Sequence, residues 1–294
     1  MSATDTSLRP GGLRRAMKQL RRSPVGMIGT FMVASVVLVA LFAPLLAPHD
    51  PAQHNRRERF TPPMWMEGGS PNNILGSDQL GRDVFSRLLY GSRISVAVGV
   101  ASVVIGGALG ALFGLLAGLY GGRVDTAISR LIDTFLALPF LILVLAVIGI
   151  LGPSLLTIIL VLGFTGWATY ARVVRGETLA MRERDFVGAA QALGASRLRV
   201  AAKHVFPNIS ASVIVLATLD VAATILAESS LSFLGLGVQP PAVTWGLMIS
   251  SGRDYLSSAW WLAVFPGLAI SYTVLGVIFL GDFLRDVLDP KIDT

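Results

Sequence analysis

Two carboxylates stand where a carboxylate is costly. Asp220 and Glu228 lie in an otherwise apolar run from Ile209 to Ser230, and an ionisable group in hydrocarbon needs a partner or a polar cavity. Their spacing puts them near one face of a helix. A face of this kind could line a substrate pathway, where a carboxylate meets an ammonium or hydrates the passage. For Asp220 a structural pair with a neighbouring chain is an equal alternative, and for Glu228 a place at the outer interface is the favoured one. Asp133 reads as a capping or interfacial carboxylate near Arg130, three residues earlier on the same helical face.

Other chemistries lack their residues. A phosphate-binding loop needs Gly-Lys followed by Ser or Thr, yet Lys18, Lys203 and Lys291, the only lysines, follow Met17, Ala202 and Pro290. Any energy drawn from ATP must therefore come from another chain. His49 and His54 flank Asp50 in a loop with no helical register, which points to solvated side chains and not to metal ligands. His204 is expected to face the membrane surface or a partner. The absence of cysteine excludes disulfides and thiolate chemistry and leaves the redox compartment open. No apolar run holds a histidine, and neither HExxH nor GxSxG occurs, so an intramembrane hydrolase has no machinery. We assign no catalytic residue, no metal ligand and no cofactor to the chain itself.

The elements that must carry these residues are membrane helices. The 294 residues are 53% hydrophobic and 14% charged, with a mean hydropathy of +0.67. About 20 apolar residues cross a bilayer as a helix, and six such runs are expected near 25–48, 95–120, 131–151, 155–173, 209–230 and 260–283. The fold class is all-α and polytopic. A segment 1–24 with six Arg and Lys residues precedes the first run, which is too long for the apolar region of a signal peptide and reads as an uncleaved helix. Segment 25–294 is then the membrane domain, with an outer loop 49–93 and a cytoplasmic insert 172–208. With the amino terminus inside, 17 of the 24 Lys and Arg residues fall on the inner side, placing both termini in the cytoplasm. That distribution also explains the net charge of +6 without nucleic acid, which would need one contiguous basic patch. In the outer loop, Asp83 to Arg93 is expected to form a short interfacial helix with Val84, Leu88 and Leu89 on one side.

Gly106, Gly110, Gly114, Gly118 and Gly122 recur every fourth residue, a stripe without side chains along which another helix backbone can approach closely. The insert RVVRGETLAMRERDFVGAAQALGASRLRVAAKHVFPN reads as two short helices. Asp185 is expected to cap the first, which runs to Leu193, and Gly194 to end it in the left-handed region. Ser196 caps the second, and Pro207 stops it. Ala189, Ala190 and Ala195 leave a small, flat surface around the break, suited equally to a partner's groove or to a solvated loop.

Gly188, Ala189, Ala190, then Gly194 and Pro207 resemble the EAA loop of ABC importer permeases. The motif's Glu is replaced by Gly188, and His204 and Phe206 stand where it has Ile and Leu. LGSDQLGRDVFSRLLYGSRIS at 75–95, ESSLSFLGLGVQPP at 228–241, TWG at 244–246 and LGDFLRDVLDPK at 280–291 extend the resemblance over nearly the whole chain. Together they are similar to the C-type permease subunit of dipeptide and oligopeptide importers, and PPMWMEGGS at 62–70 is closest to the dipeptide group. The resemblance implies a type I importer permease fold in a bacterial cytoplasmic membrane. It also implies that Gly188, Ala189, Ala190, Leu193, Gly194, Ala195 and Pro207 couple to ATPase subunits. The expected partners are a second similar permease, two ATPases that hold ATP and Mg, an extracytoplasmic solute-binding protein and a peptide substrate. The same subfamily carries nickel complexes, glutathione and some oligosaccharides. A secondary transporter is the alternative from another class, although no internal repeat supports it.

Overall fold

A computed structural model of the chain describes residues 18–288. Most of the basic segment before the first span and the carboxy-terminal Lys291 and Thr294 lie outside the described residues. Helix α1 spans Pro24–Leu46, α2 Val84–Tyr120, α3 Gly122–Ala137, α4 Phe140–Leu151, α5 Leu155–Arg182 and α6 Asp185–Ala192. Helix α7 runs over Arg197–Phe233, followed by α8 at Trp245–Gly252 and α9 at Trp261–Leu288. Among the described residues the only β pairing is an isolated bridge between Ser77 and Asp83.

Local chemistry sets the starts of these helices. Ser23 accepts from the Gly26 amide ahead of Pro24, Asp83 from the Ser86 amide, Ser154 from the Thr157 amide and Thr244 from the Leu247 amide. Each satisfies one of the donors that a helix start leaves free. Positive φ at Gly121 and Gly122 turns the chain sharply between α2 and α3.

Five helices are long and apolar enough to cross a membrane, and α3 with α4 forms a sixth, broken span bent by 89°. A crossing between α2 and α5 is required, because those two helices run parallel. Ser102 Oγ donates to the Ile159 carbonyl at 3.1 Å near one end of their contact, and Thr178 meets Gly118 near the other. Two parallel helices need a return between them, and the bent pair supplies it.

The spans differ from expectation at their ends. Helix α2 begins at Val84, so 83–93 is not a separate interfacial helix. Val84 and Leu89 are buried in the protein, Val84 in a cluster with Trp245 and Trp261. Helix α5 continues nine residues past Val173. The third span is not one straight helix, since Leu138 and Pro139 divide it. Pro207 does not stop a helix either. Helix α7 passes through it by widening to a π turn over Ala201–Val205, which gives the proline ring room where an α-helical carbonyl would collide. Asn208 Nδ2 donates to the His204 carbonyl at 2.6 Å, occupying an acceptor within the disturbed turns.

The loop between α1 and α2 is tied down by polar contacts. Arg82 Nε pairs with Asp78 Oδ2 at 2.7 Å, and buried Arg87 approaches the same oxygen at 3.6 Å. Trp261 Nε1 donates to the Ser77 carbonyl at 3.1 Å.

Candidate functional site

The glycine stripe is the seam between α2 and α5. A Cβ on Gly114 would lie 2.7 Å from the Ala171 carbonyl oxygen, and one on Gly106 would lie 2.9 Å from that of Gly163. Gly118 faces Thr178, and Gly110 faces Trp167, Tyr170 and Ala171. Gly122 does not belong to the seam: it sits past the end of α2 with nothing within 4 Å of its missing Cβ. Gly163 answers the stripe from α5, where a Cβ would lie 2.9 Å from Ile105. A lone glycine has no period, so nothing in the sequence singles it out.

At one end of this seam α6 and the start of α7 form an elbow. Its first helix begins with Asp185 in its first turn and Arg184 at the cap, so Asp185 does not cap it. Leu193 follows α6, Gly194 takes φ +82°, and the Ala195 amide reaches back to the Ala190 carbonyl at 3.0 Å. This is the glycine-ended closure of a helix terminus. Ser196 Oγ then accepts from the Arg199 amide at 3.3 Å.

Val187 and Val200 anchor the elbow. Both are fully buried in a cluster with Leu119, Val174 and Val205. Arg182 Nη1 donates to the Gly118 carbonyl at 3.2 Å, and the Arg197 guanidinium lies 5.2 Å from the Tyr120 ring centroid. On the other side Leu193 is 90% exposed and Leu198 78%. Gly188 and Ala189 are exposed beside them, and Ala190 and Ala195 are partly so. The insert 172–208 is thus shorter than its sequence limits, because Arg172 to Arg182 extends α5 and Pro207 lies within α7. Sequence reasoning passed over Val187, Val200 and Leu198, although two valines flanking a glycine break mark an inner face.

Asp220 and Glu228 are not equivalent. Asp220 is half-buried on α7 and accepts from the Tyr170 hydroxyl at 3.0 Å. Glu228 is 0% exposed, so it sits inside the protein and on no surface of this chain. Ser232 Oγ donates to Glu228 Oε1 at 2.7 Å and Ser95 Oγ to Oε2 at 3.4 Å. A buried carboxylate with hydroxyl partners ties α2 to α7.

Asp133 pairs with Arg172 at 2.9 Å across two helices, and Arg130 is not its partner. Arg175 and Asp125 form a second, forked pair between α5 and α3, with Nη2 to Oδ2 at 2.9 Å. His49 is not simply solvated: its amide donates to Ser86 Oγ at 3.1 Å, and its ring lies 3.8 Å from Asp83. The His204 ring lies beside Phe186 in the elbow. Among the described residues no three His, Asp or Glu side chains gather as a metal would require.

A polytopic helical bundle with a glycine seam, a half-buried carboxylate and an apolar elbow at one end is built as a membrane permease. Residues 110–294 match the family model described as "Binding-protein-dependent transport system inner membrane component". Residues 13–63 match "N-terminal TM domain of oligopeptide transport permease C". The chain belongs to this family of multi-pass inner-membrane permeases. It is 43% identical to the di/tripeptide transport system permease protein DppC of Pseudomonas aeruginosa (strain UCBPP-PA14), over 99% of this chain and 96% of that protein. It is 44% identical to the dipeptide transport system permease protein DppC of Escherichia coli (strain K12), over 92% of this chain and 91% of that one. A chain of the MetNI methionine ABC transporter, in an inward-facing conformation, aligns with a TM-score of 0.56 at 20% identity, covering 68% of this chain and 96% of that one. The fold is that of an ABC importer permease. With the family shown, a secondary transporter drops out as an alternative.

Proposed function

We propose that this chain is one permease subunit of an ATP-driven importer that moves dipeptides or short oligopeptides across the cytoplasmic membrane. In this reading it pairs with a second, similar permease. Two ATPase subunits bind ATP and Mg, and a solute-binding protein delivers the peptide. Both termini face the cytoplasm. The reaction of this chain is vectorial transport, with hydrolysis left to the partners, consistent with the missing Gly-Lys loop. The substrate class rests on the relatives named for dipeptides and di/tripeptides.

The observation that carries the coupling role is the elbow, where Leu193 and Leu198 project from a backbone anchored by Val187 and Val200. Exposed leucines on a rigid support suit insertion into a partner's groove. Helix α7 leaves the elbow and continues for 37 residues, about 55 Å at helical rise. A push on the elbow therefore reaches Asp220 and Glu228 along one rod. ATP shifts the bundle between inward-open and outward-open states only if the ATP-bound partners grip the elbow more tightly in one of them.

The test is co-purification of the ATPase subunits in matched detergent, with uptake of labelled dipeptide measured alongside. Leu193→Asp alters an exposed side chain, and Gly194→Arg forces a bulky residue into positive φ. Both variants should remain in the membrane and lose ATPase association and uptake. Normal association and uptake in both would make the elbow a loop without a coupling function. Uptake of a nickel complex or glutathione, but not of dipeptide, by the wild type would reassign the substrate.

A further inference from the structure

We propose that a cleft beside Arg93, at the end of the bundle away from the elbow, is a subsite for the carboxylate of the transported peptide. The proposal rests on the peptide-import reading above. The cleft has a volume of about 370 Å³ and is walled by Tyr90, Arg93 and Ile94 of α2, Leu155 of α5, and Pro241 and Val243. This is near the lower end of the roughly 300–1,000 Å³ of small-molecule sites, a size suited to a ligand of two or three residues.

Charge sets the chemistry. Arg93 is exposed and makes no ion pair with a carboxylate among the described residues. Arg82 and Arg87 share Asp78, Arg172 has Asp133, and Arg175 has Asp125. The Arg93 guanidinium lies 5.8 Å from the Tyr90 ring centroid, one helical turn away, so the ring holds the cation at the cleft. A guanidinium binds a carboxylate through two parallel hydrogen bonds, while Ile94, Leu155, Pro241 and Val243 offer apolar surface to side chains. A ligand with one anionic end and a small, partly apolar body fits both features.

Position makes this an early subsite. Ser95, two residues beyond Arg93, reaches Glu228, so Arg93 lies near the level of Glu228. Asp220 precedes Glu228 by eight residues on α7, about 12 Å deeper along the axis. The two residues of a dipeptide span about 7 Å. The backbone separation of Arg93 and Asp220 thus exceeds the length of a dipeptide, and the proposal has Arg93 meeting the carboxylate before Asp220 meets the ammonium.

A lipid phosphate shares this chemistry, and the experiment separates the two sources. Ala97 lines the cleft, and the chain has no native cysteine. Ala97→Cys is placed in the assembled transporter in nanodiscs without the solute-binding protein, and the rate of thiol labelling of this chain is measured. Alanyl-alanine should slow labelling about threefold at twice its Kd. Its carboxamide should not, Arg93→Gln should abolish the protection, and Arg93→Lys should keep part of it. Equal effects of acid and amide, or no effect of either, would overturn the proposal. A rate that follows the headgroup charge of the nanodisc lipid and ignores peptide would give the cleft to a phosphate and also overturn it. Dipeptide uptake by the wild-type assembly with its binding protein tests the import reading separately. Uptake without protection removes the subsite alone, and absence of uptake removes both.

Discussion

The Tyr170 hydroxyl donates to Asp220 Oδ2 across 3.0 Å, joining α5 to α7 beside the glycine seam. The Tyr170 ring is buried, and a Cβ on Gly107 would stand 3.6 Å from it. Asp220 is thus held from one side and stays half-open on the other. Asp220→Asn keeps an acceptor for Tyr170 and removes the charge. If the carboxylate meets a peptide ammonium, uptake at limiting peptide should fall about tenfold, equivalent to about 1.4 kcal/mol, with unchanged thermal stability. Tyr170→Phe should instead lower stability by about 1 kcal/mol. Wild-type uptake per assembled complex in Asp220→Asn would make the carboxylate a structural partner only.

Contacts show which helix ends share a side, and the charge distribution sets the expectation of which side is the cytoplasm. Thr178, Arg182 and Arg197 gather with Gly118 and Tyr120 at the elbow end, whereas the outer-loop residue Ser77 contacts Trp261 at the start of α9. Ser196→Cys should therefore resist an impermeant thiol reagent in intact cells, and Ser70→Cys should react. The reverse pattern would invert the topology and remove the elbow from the ATPase side. Thr6 and Thr294, expected on the same side as Ser196, lie outside the described residues, so the two loop cysteines carry the test.

Glu228 calls for a different pair of substitutions. Its carboxylate is enclosed with Ser232 and Ser95, and removing it leaves buried hydroxyls without an acceptor, at a cost of about 1–3 kcal/mol. Glu228→Leu should lower the melting temperature of the purified transporter, and Glu228→Gln should lower it less. A Glu228→Gln variant with wild-type melting and strongly reduced uptake would contradict the structural role and return this residue to the transport pathway.

Long apolar runs made the spans legible, because hydrocarbon thickness alone decides them. Their ends were not, since Val84 to Arg93 and Arg172 to Arg182 stay helical after hydropathy falls. Pro207 misled for a related reason: a π turn absorbed the proline, and no residue pattern announces that relief. The four seam glycines of α2 showed through their period, and Gly194 through its position after an alanine-rich helix. The partners of the carboxylates did not show. Tyr170 is 50 residues from Asp220, and Ser95 is 133 from Glu228. Packing alone brings such pairs together, so the cradle of hydroxyls around Glu228 has no signature in the sequence.

The seam itself yields the sharpest steric prediction. A Cβ on Gly110 would stand 2.5 Å from the Trp167 carbonyl oxygen and 2.8 Å from the Ala171 nitrogen. Both are backbone atoms of α5, and neither can swing aside as a side chain tip would. Gly110→Ala therefore has to separate the two helices, and overpacking of this kind costs about 1–3 kcal/mol. Gly176 provides the control, since nothing lies within 4 Å of its missing Cβ and alanine favours the helix more than glycine does. In matched detergent, Gly110→Ala should melt several degrees below wild type and yield less intact complex on size exclusion, while Gly176→Ala should match wild type or exceed it. Equal melting of all three proteins would mean that α2 and α5 do not meet backbone to backbone, and the parallel pairing that demands the bent span between them would lose its support.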